Sequence, residues 1–165
     1  MSHALDRWDA PVAALAQALR ARGWRLATAE SCTGGLIAAA CTAIAGSSDW
    51  FERGFVTYSN EAKTELIGVP DAVLAAHGAV SAETACAMAE GALAHARADL
   101  AIAVTGIAGP GGATPGKPVG TVWLAWATRG TPAQARLLSL QGDRAEVREQ
   151  TVDAALQAAR SLATA

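Results

Sequence analysis

Lysine is almost missing from this 165-residue chain. Of its 13 basic residues only two, Lys63 and Lys117, are lysine, and the rest are arginine. Tyrosine is scarcer still, with Tyr58 alone, and aromatics make up 5% of the residues. Basic charge is not in excess either: 13 Lys+Arg against 15 Asp+Glu give a formal net charge of -2. That balance excludes a general binder of nucleic acid or of acidic membranes, which needs a basic excess or stripe. Cys32, Cys41 and Cys86 are odd in number and irregularly spaced. They form no disulfide framework and no zinc pattern, and Cys41 and Cys86 read as small buried apolar residues. No run approaches the ~20 apolar residues of a membrane span, because Arg, Glu, Asp or Gly interrupts each long stretch. No secretory signal is expected at the start, since Met1 to Asp9 carries Asp6 and Asp9 and no apolar core. These absences point to a soluble, cytoplasmic protein.

What remains is rich in small apolar residues. Hydrophobic residues make up 52% and charged residues 17%, which excludes disorder. Alanine alone is about a quarter of the chain, so helix propensity is high. The length fits one domain, residues 1–165 with a core over about 11–162. Helical and strand patterns alternate along it. Asp9 is placed to cap a helix that ends at Gly23, and Trp24 to Ala29 reads as a strand. Thr33 to Ala45 is an alanine-rich helix pattern, and Phe55 to Tyr58 has strand composition. Short helices follow, over Glu61 to Ile67 after Ser59 or Asn60, and from Pro70 to His77. Ser81 caps a longer one to about Arg97. Leu100 to Val104 and Val119 to Ala127 are apolar strands, and Ala135 to Leu140 pairs back as a hairpin. Asp143 caps a last helix to about Leu162. Strands separated by helices imply an α/β fold, a three-layer α/β/α sandwich whose sheet is mostly parallel and made mixed by the final hairpin.

In such sheets a ligand sits beyond the carboxyl ends of the strands. Four polar segments fall there: Glu30 to Gly35, Tyr58 to Lys63, Thr105 to Gly112, and Gly142 to Arg144. Ser31 lies between a strand and a glycine-rich helix start. It can serve as a helix cap or as a nucleophile facing free backbone N–H groups, with Gly34 and Gly35 giving a substrate room. A serine nucleophile needs a base. His3, His77 and His95 sit in unpromising places, so a Ser-His-Asp triad is not expected. Lys63 stands in the first turn of a helix, where the macrodipole and desolvation both favour the neutral amine. It is therefore either the base or a solvent-facing lysine beside Glu61. Tyr58 can position it or relay its proton, or else simply close the strand. Cys32 is an alternative nucleophile that ranks below Ser31, because no histidine pairs with it. Gly111 to Lys117 has the spacing of a P-loop, but Pro118 replaces the metal-binding hydroxyl and a strand follows where a helix is required. The loop is not an ATPase site, though its glycines can still cradle an anion.

The segments Thr28-Ala29-Glu30-Ser31-Cys32-Thr33-Gly34-Gly35, Tyr58-Ser59-Asn60-Glu61-Ala62-Lys63, Gly78-Ala79-Val80-Ser81 and Thr105-Gly106-Ile107-Ala108-Gly109-Pro110-Gly111-Gly112, continuing to Lys117-Pro118-Val119-Gly120-Thr121-Val122, closely resemble the CinA carboxy-terminal domain family over about Pro11 to Leu162. The resemblance implies a three-layer α/β/α sandwich and nicotinamide-nucleotide amidase activity. In that reaction nicotinamide mononucleotide and water give nicotinate mononucleotide and ammonia, with no metal and no cofactor. It implies Ser31 as nucleophile, Lys63 as general base and Tyr58 close to both. It also implies a substrate site lined by Thr33, Gly34, Gly35, Thr105, Gly106, Gly109 and Arg144, with Arg144 on the phosphate. Two-domain relatives carry a further domain resembling molybdopterin-binding proteins; 165 residues leave no room for one, so the stand-alone amidase is expected. The family resemblance also favours a homo-oligomer, a dimer first. Two other classes stay open: a nucleotide-phosphate-binding protein using the Gly106 to Lys117 loop, and a non-catalytic interaction module of competence or damage responses.

Overall fold

The computed structural model describes residues 3–165; the first two residues of the amino-terminal stretch read above lie outside them. Among the described residues six α-helices and five strands are formed. They are α1 Asp9–Arg22, β1 Leu26–Glu30, α2 Leu36–Thr42, β2 Phe51–Val56, α3 Asn60–Ile67, α4 Asp71–His77, α5 Ala82–Ala94, β3 Leu100–Gly106, β4 Thr121–Thr128, β5 Thr131–Ser139 and α6 Arg144–Thr164. The strand order is β2-β1-β3-β4-β5. The pairs β1–β2 and β1–β3 are parallel, while β3–β4 and β4–β5 are antiparallel. Four strands therefore share one direction and β4 alone runs against them. As expected, the final hairpin makes a mostly parallel sheet mixed, through its first strand: no helix stands between β3 and β4, so a loop returns the chain antiparallel.

Alternation along the strands builds two different faces. Leu26, Leu100, Ile102, Val104 and Leu124 pack with α1, α2 and α6. Ala27, Ala29, Ala101, Ala103, Ala125 and Ala127 lie under α5 and the end of α3. With methyl groups at these six positions, and Phe55 and Trp123 only at the margin of the cluster, α5 approaches closely. A Cβ on Gly91 of α5 would come within 2.0 Å of the Ile67 carbonyl oxygen, so only glycine fits.

Helix ends follow their sequence signals. Ser59 accepts from the Ala62 N–H, Ser81 from the Thr84 N–H, and Asp143 forms a capping box with Glu146. At the other end, Gly23 and Gly68 close α1 and α3 in left-handed conformation. Three expectations shift. Asp9 is the first residue of α1 rather than its cap, because a 3-10 turn over Asp6–Trp8 precedes it. The strand expected at Phe55 begins at Phe51, where it pairs along the whole of β1, and stops before Tyr58. The helix expected from Thr33 begins only at Leu36, because Gly34 at φ 61 and Gly35 at φ 100 hold the chain in consecutive left-handed turns.

The carboxyl ends of β1, β2, β3 and β5 share one edge of the sheet. The chain leaves β1 through α2 on one face and reaches β3 through α5 on the other. The gap between β1 and β3 is thus the switch point where α/β sheets open a ligand crevice.

Candidate active site

Ser31 follows β1 directly at this switch point. Its N–H donates to the Val104 carbonyl of β3, and its carbonyl accepts from the Gly34 N–H at 3.0 Å. The turn projects the side chain to the protein boundary, with the residue 9% exposed. Ser31 does not cap α2. That role falls to Glu30, a buried carboxylate reaching under the helix from the preceding strand. Its Oε1 accepts from the Ile37 N–H at 2.8 Å and the Thr33 hydroxyl at 2.7 Å, and its Oε2 accepts from the Ala38 N–H at 2.9 Å. A strand-end carboxylate thus satisfies donors that a capping side chain usually takes.

Lys63 comes to Ser31 from the opposite side. It occupies the first turns of α3, yet only 1% of it is exposed. Its Nζ lies 3.2 Å from Ser31 Oγ and 2.9 Å from the Thr57 carbonyl, with the Tyr58 carbonyl at 3.4 Å. Among the described residues no carboxylate forms an ion pair with it. Loss of hydration pushes its pKa below the ordinary lysine value. Cys32 offers no counter-charge: burial raises its thiol to about 11, so it is protonated at neutral pH. The same burial makes it a poor nucleophile. No histidine reaches Ser31. The ring of His77 faces Glu83, that of His95 bonds the Gly91 carbonyl, and the backbone of His3 bonds Asp6.

The other expected residues frame this pair in ways their sequence positions do not reveal. Tyr58 is 59% exposed, and its hydroxyl accepts from Arg144 Nη2 at 3.0 Å. It meets Lys63 through its main-chain carbonyl, not its ring. Arg144 also donates through Nη1 to the Gly109 carbonyl at 2.8 Å, so it ties three of the four strand-end segments together. The Thr33 hydroxyl is spent on Glu30. The Thr105 hydroxyl donates to the Ala79 carbonyl at 2.8 Å, fixing the loop before α5. Gly106 sits in the sheet opposite Val122, where a Cβ would meet Val122 at 2.6 Å. The P-loop-like segment is not one: Thr114 and Lys117 exchange two backbone hydrogen bonds, and β4 starts at Thr121 with no helix between.

Two residues escape the sequence reading. Glu30 was visible only as part of a polar segment, although alternation with Leu26 and Thr28 puts it on the face toward α2. Arg148 lies one turn after Arg144 on α6, and its Nη2 donates to the Thr33 carbonyl at 2.9 Å. The i,i+4 spacing was the available signal.

The family model of the CinA C-terminal domain matches residues 9–163. The chain belongs to that family. Among curated CinA relatives, the nicotinamide-nucleotide amidohydrolase PncC of Escherichia coli (strain K12) is 57% identical over 141 residues, covering 86% of each chain. A CinA-like protein of Citrifermentans bemidjiense is 58% identical over 142 residues, but those are 86% of this chain and 34% of that longer one. Among solved structures, a CinA superfamily protein from Klebsiella pneumoniae 700603 aligns with a TM-score of 0.89 at 44% identity. That alignment covers 93% of this chain and 96% of the other. The competence/damage inducible protein CihA from Agrobacterium tumefaciens aligns with a TM-score of 0.86 at 46% identity, over 92% and 95% of the two chains. The α/β sandwich with its mixed five-stranded sheet is thus the CinA C-terminal fold.

Proposed function

We propose that this chain hydrolyses the carboxamide of nicotinamide mononucleotide to nicotinate mononucleotide and ammonia, with Ser31 as nucleophile and Lys63 as general base. The observation that carries the reading is the Lys63 Nζ at 3.2 Å from Ser31 Oγ, buried and without a carboxylate to hold it charged. The amidohydrolase name of the 57%-identical relative supplies the substrate.

Neutral Lys63 accepts the Ser31 proton as Oγ bonds to the carboxamide carbon. The Thr57 and Tyr58 carbonyls hold the amine hydrogens, so its lone pair points at the hydroxyl. The developing oxyanion needs free donors. The Ser31 and Gly34 N–H groups are occupied, whereas those of Thr33 and Gly35 make no hydrogen bond among the described residues. They are the oxyanion donors in this reading. The C–N bond then breaks, and Lys63 returns its proton to the departing ammonia. Water gives a proton to Lys63 and attacks the nicotinoyl ester. The C–O bond to Ser31 breaks, and Oγ takes that proton back. The pyridinium charge of the substrate favours the neutral amine. Tyr58, fixed by Arg144, borders the entrance as a positioning residue.

The test is ammonia release from nicotinamide mononucleotide by wild type, Ser31→Ala and Lys63→Arg. Each variant is expected to lose at least about a thousandfold in kcat. Arginine keeps the charge but cannot accept a proton at working pH. Full activity in either variant overturns the mechanism.

A further inference from the structure

The turn that carries Ser31 has little of its own to hold it. Gly34 and Gly35 follow one another in left-handed conformation, at φ 61 and φ 100, and glycine backbone resists rotation least. Two local hydrogen bonds close the turn. The Gly34 N–H donates to the Ser31 carbonyl at 3.0 Å, and the Leu36 N–H donates to the Thr33 carbonyl at 3.1 Å. Both depend on one peptide unit, the one that joins Thr33 to Gly34. Its N–H is the donor of the first bond and its C=O the acceptor of the second. The same unit stands between the Thr33 and Gly35 N–H groups, which make no hydrogen bond among the described residues. Its tilt therefore sets how those two donors converge.

Arg148 reaches this peptide unit from α6. Its Nη2 donates to the Thr33 carbonyl at 2.9 Å, across 115 residues of sequence. A Cβ on Gly34 would come 3.9 Å from the same Nη2, so the guanidinium lies against the turn itself. That is its one hydrogen bond among the described residues, since Nε is buried and has no partner. No carboxylate pairs with it there either. Its charge is thus left to act on the turn, and it draws the Cys32 thiol pKa downward against the larger effect of burial. Glu30 holds the Thr33 hydroxyl at 2.7 Å. Thr33 is consequently gripped twice, by its hydroxyl from β1 and by its carbonyl from α6.

We propose that Arg148 is a positioning residue for acyl transfer: by holding the Thr33 carbonyl it fixes the peptide unit between the Thr33 and Gly35 N–H groups and presets both for the oxyanion. Donors fixed beforehand cost no reorganisation when charge develops, and a nearby cation favours that charge. The inference rests on the proposed hydrolysis for the reaction that the turn serves.

The experiment compares wild type, Arg148→Met and Arg148→Lys. Methionine keeps an unbranched stem without donor or charge, and lysine keeps the charge on a shorter, single-point donor. On nicotinamide mononucleotide, Arg148→Met should lower kcat about 10- to 100-fold while KM changes less than about threefold, because the donors act on charge present only in the transition state. Arg148→Lys should recover part of the loss. An unchanged kcat, or a loss that falls on KM, overturns the proposal. Melting curves give the folded fraction at the assay temperature, and a kcat that returns to the wild-type value once corrected for it also overturns the proposal. Should Arg148→Met fail to fold, Arg148→Lys carries the same test, with a loss of several-fold expected in kcat. Pyridine-3-boronic acid gives a readout without turnover. Ser31 Oγ bonds to boron, the hydroxyl proton passes to Lys63, and boron becomes a tetrahedral anion with one oxygen at the oxyanion position. Its Kd should weaken in Arg148→Met by about the factor lost in kcat. That weakening supports the positioning role even if nicotinamide mononucleotide releases no ammonia, an outcome that overturns only the proposed hydrolysis. Equal boronate binding by the two proteins, or none by either, overturns the positioning role and leaves the hydrolysis standing.

Discussion

At the scale of the residue, the base role proposed for Lys63 depends on where its amine is, not on what surrounds its stem. An exposed lysine is protonated at neutral pH and cannot accept the Ser31 proton. Burial without a carboxylate lowers the cost of losing the charge. The main-chain carbonyls of Thr57, Tyr58 and Ser59 surround the amine beside Ser31 Oγ; in the proposed mechanism the neutral amine keeps its hydrogens on these carbonyls and accepts from Ser31. A pH profile follows from the sign of the shift. The kcat/KM for nicotinamide mononucleotide should rise with pH as Lys63 loses its proton, and level off below the ordinary lysine value. The rising limb should survive Cys32→Ser, since the thiol at about 11 titrates elsewhere. A limb that vanished in Cys32→Ser would assign the base to the thiol. The lysine and tyrosine stood out in the sequence by their rarity, and the serine by its glycine-rich neighbourhood. That Tyr58 presents its carbonyl to Lys63 and its hydroxyl to Arg144 was not legible, because β2 ends two residues before it and frees the ring.

At the scale of the element, the turn that carries Ser31 is held by Glu30. Both carboxylate oxygens accept, one from Thr33 and Ile37 and the other from Ala38. Glu30→Gln therefore sets an amide NH₂ against a donor whichever way it is turned. The cost should be about 1–3 kcal/mol, seen as a fall in Tm of several degrees, with kcat reduced because Ser31 is the next residue. A Gln variant with unchanged Tm and kcat would show that the cap does not organise the site. From the sequence Ser31 is open to two roles, a cap at the α2 start, by the ordinary preference for a capping hydroxyl, and a nucleophile. Two left-handed glycines displaced that start by three residues and brought it over a carboxylate from the strand. The caps at Ser59, Ser81 and Asp143 were legible because each is local, a side chain bonding a backbone N–H three residues on.

At the scale of the whole molecule, a buried lysine links catalysis to folding stability. Its folded-state pKa is depressed while the unfolded chain keeps the ordinary value of 10.5. Between the two, the unfolded state binds more protons, so stability rises with pH. Below the folded-state value the full penalty of a buried charge applies; above 10.5 it is gone. Wild type should therefore gain urea resistance as pH rises from the folded-state pKa toward 10.5, relative to Lys63→Met, which lacks that slope. Parallel pH curves for the two proteins would mean that the amine is hydrated. Composition and periodicity determined the layered α/β architecture, since alternating Leu/Ala and Ile/Ala along the strands defines one thick face and one thin face for the helices. They also determined which segments lie at the strand ends, because that follows from local alternation of strand and helix. Only the tertiary structure decided what those segments do to one another. Ser31 and Lys63 lie 32 residues apart, and Arg144 and Tyr58 lie 86 apart. Side-chain contact over such separations depends on strand order and helix placement, which local propensity does not encode.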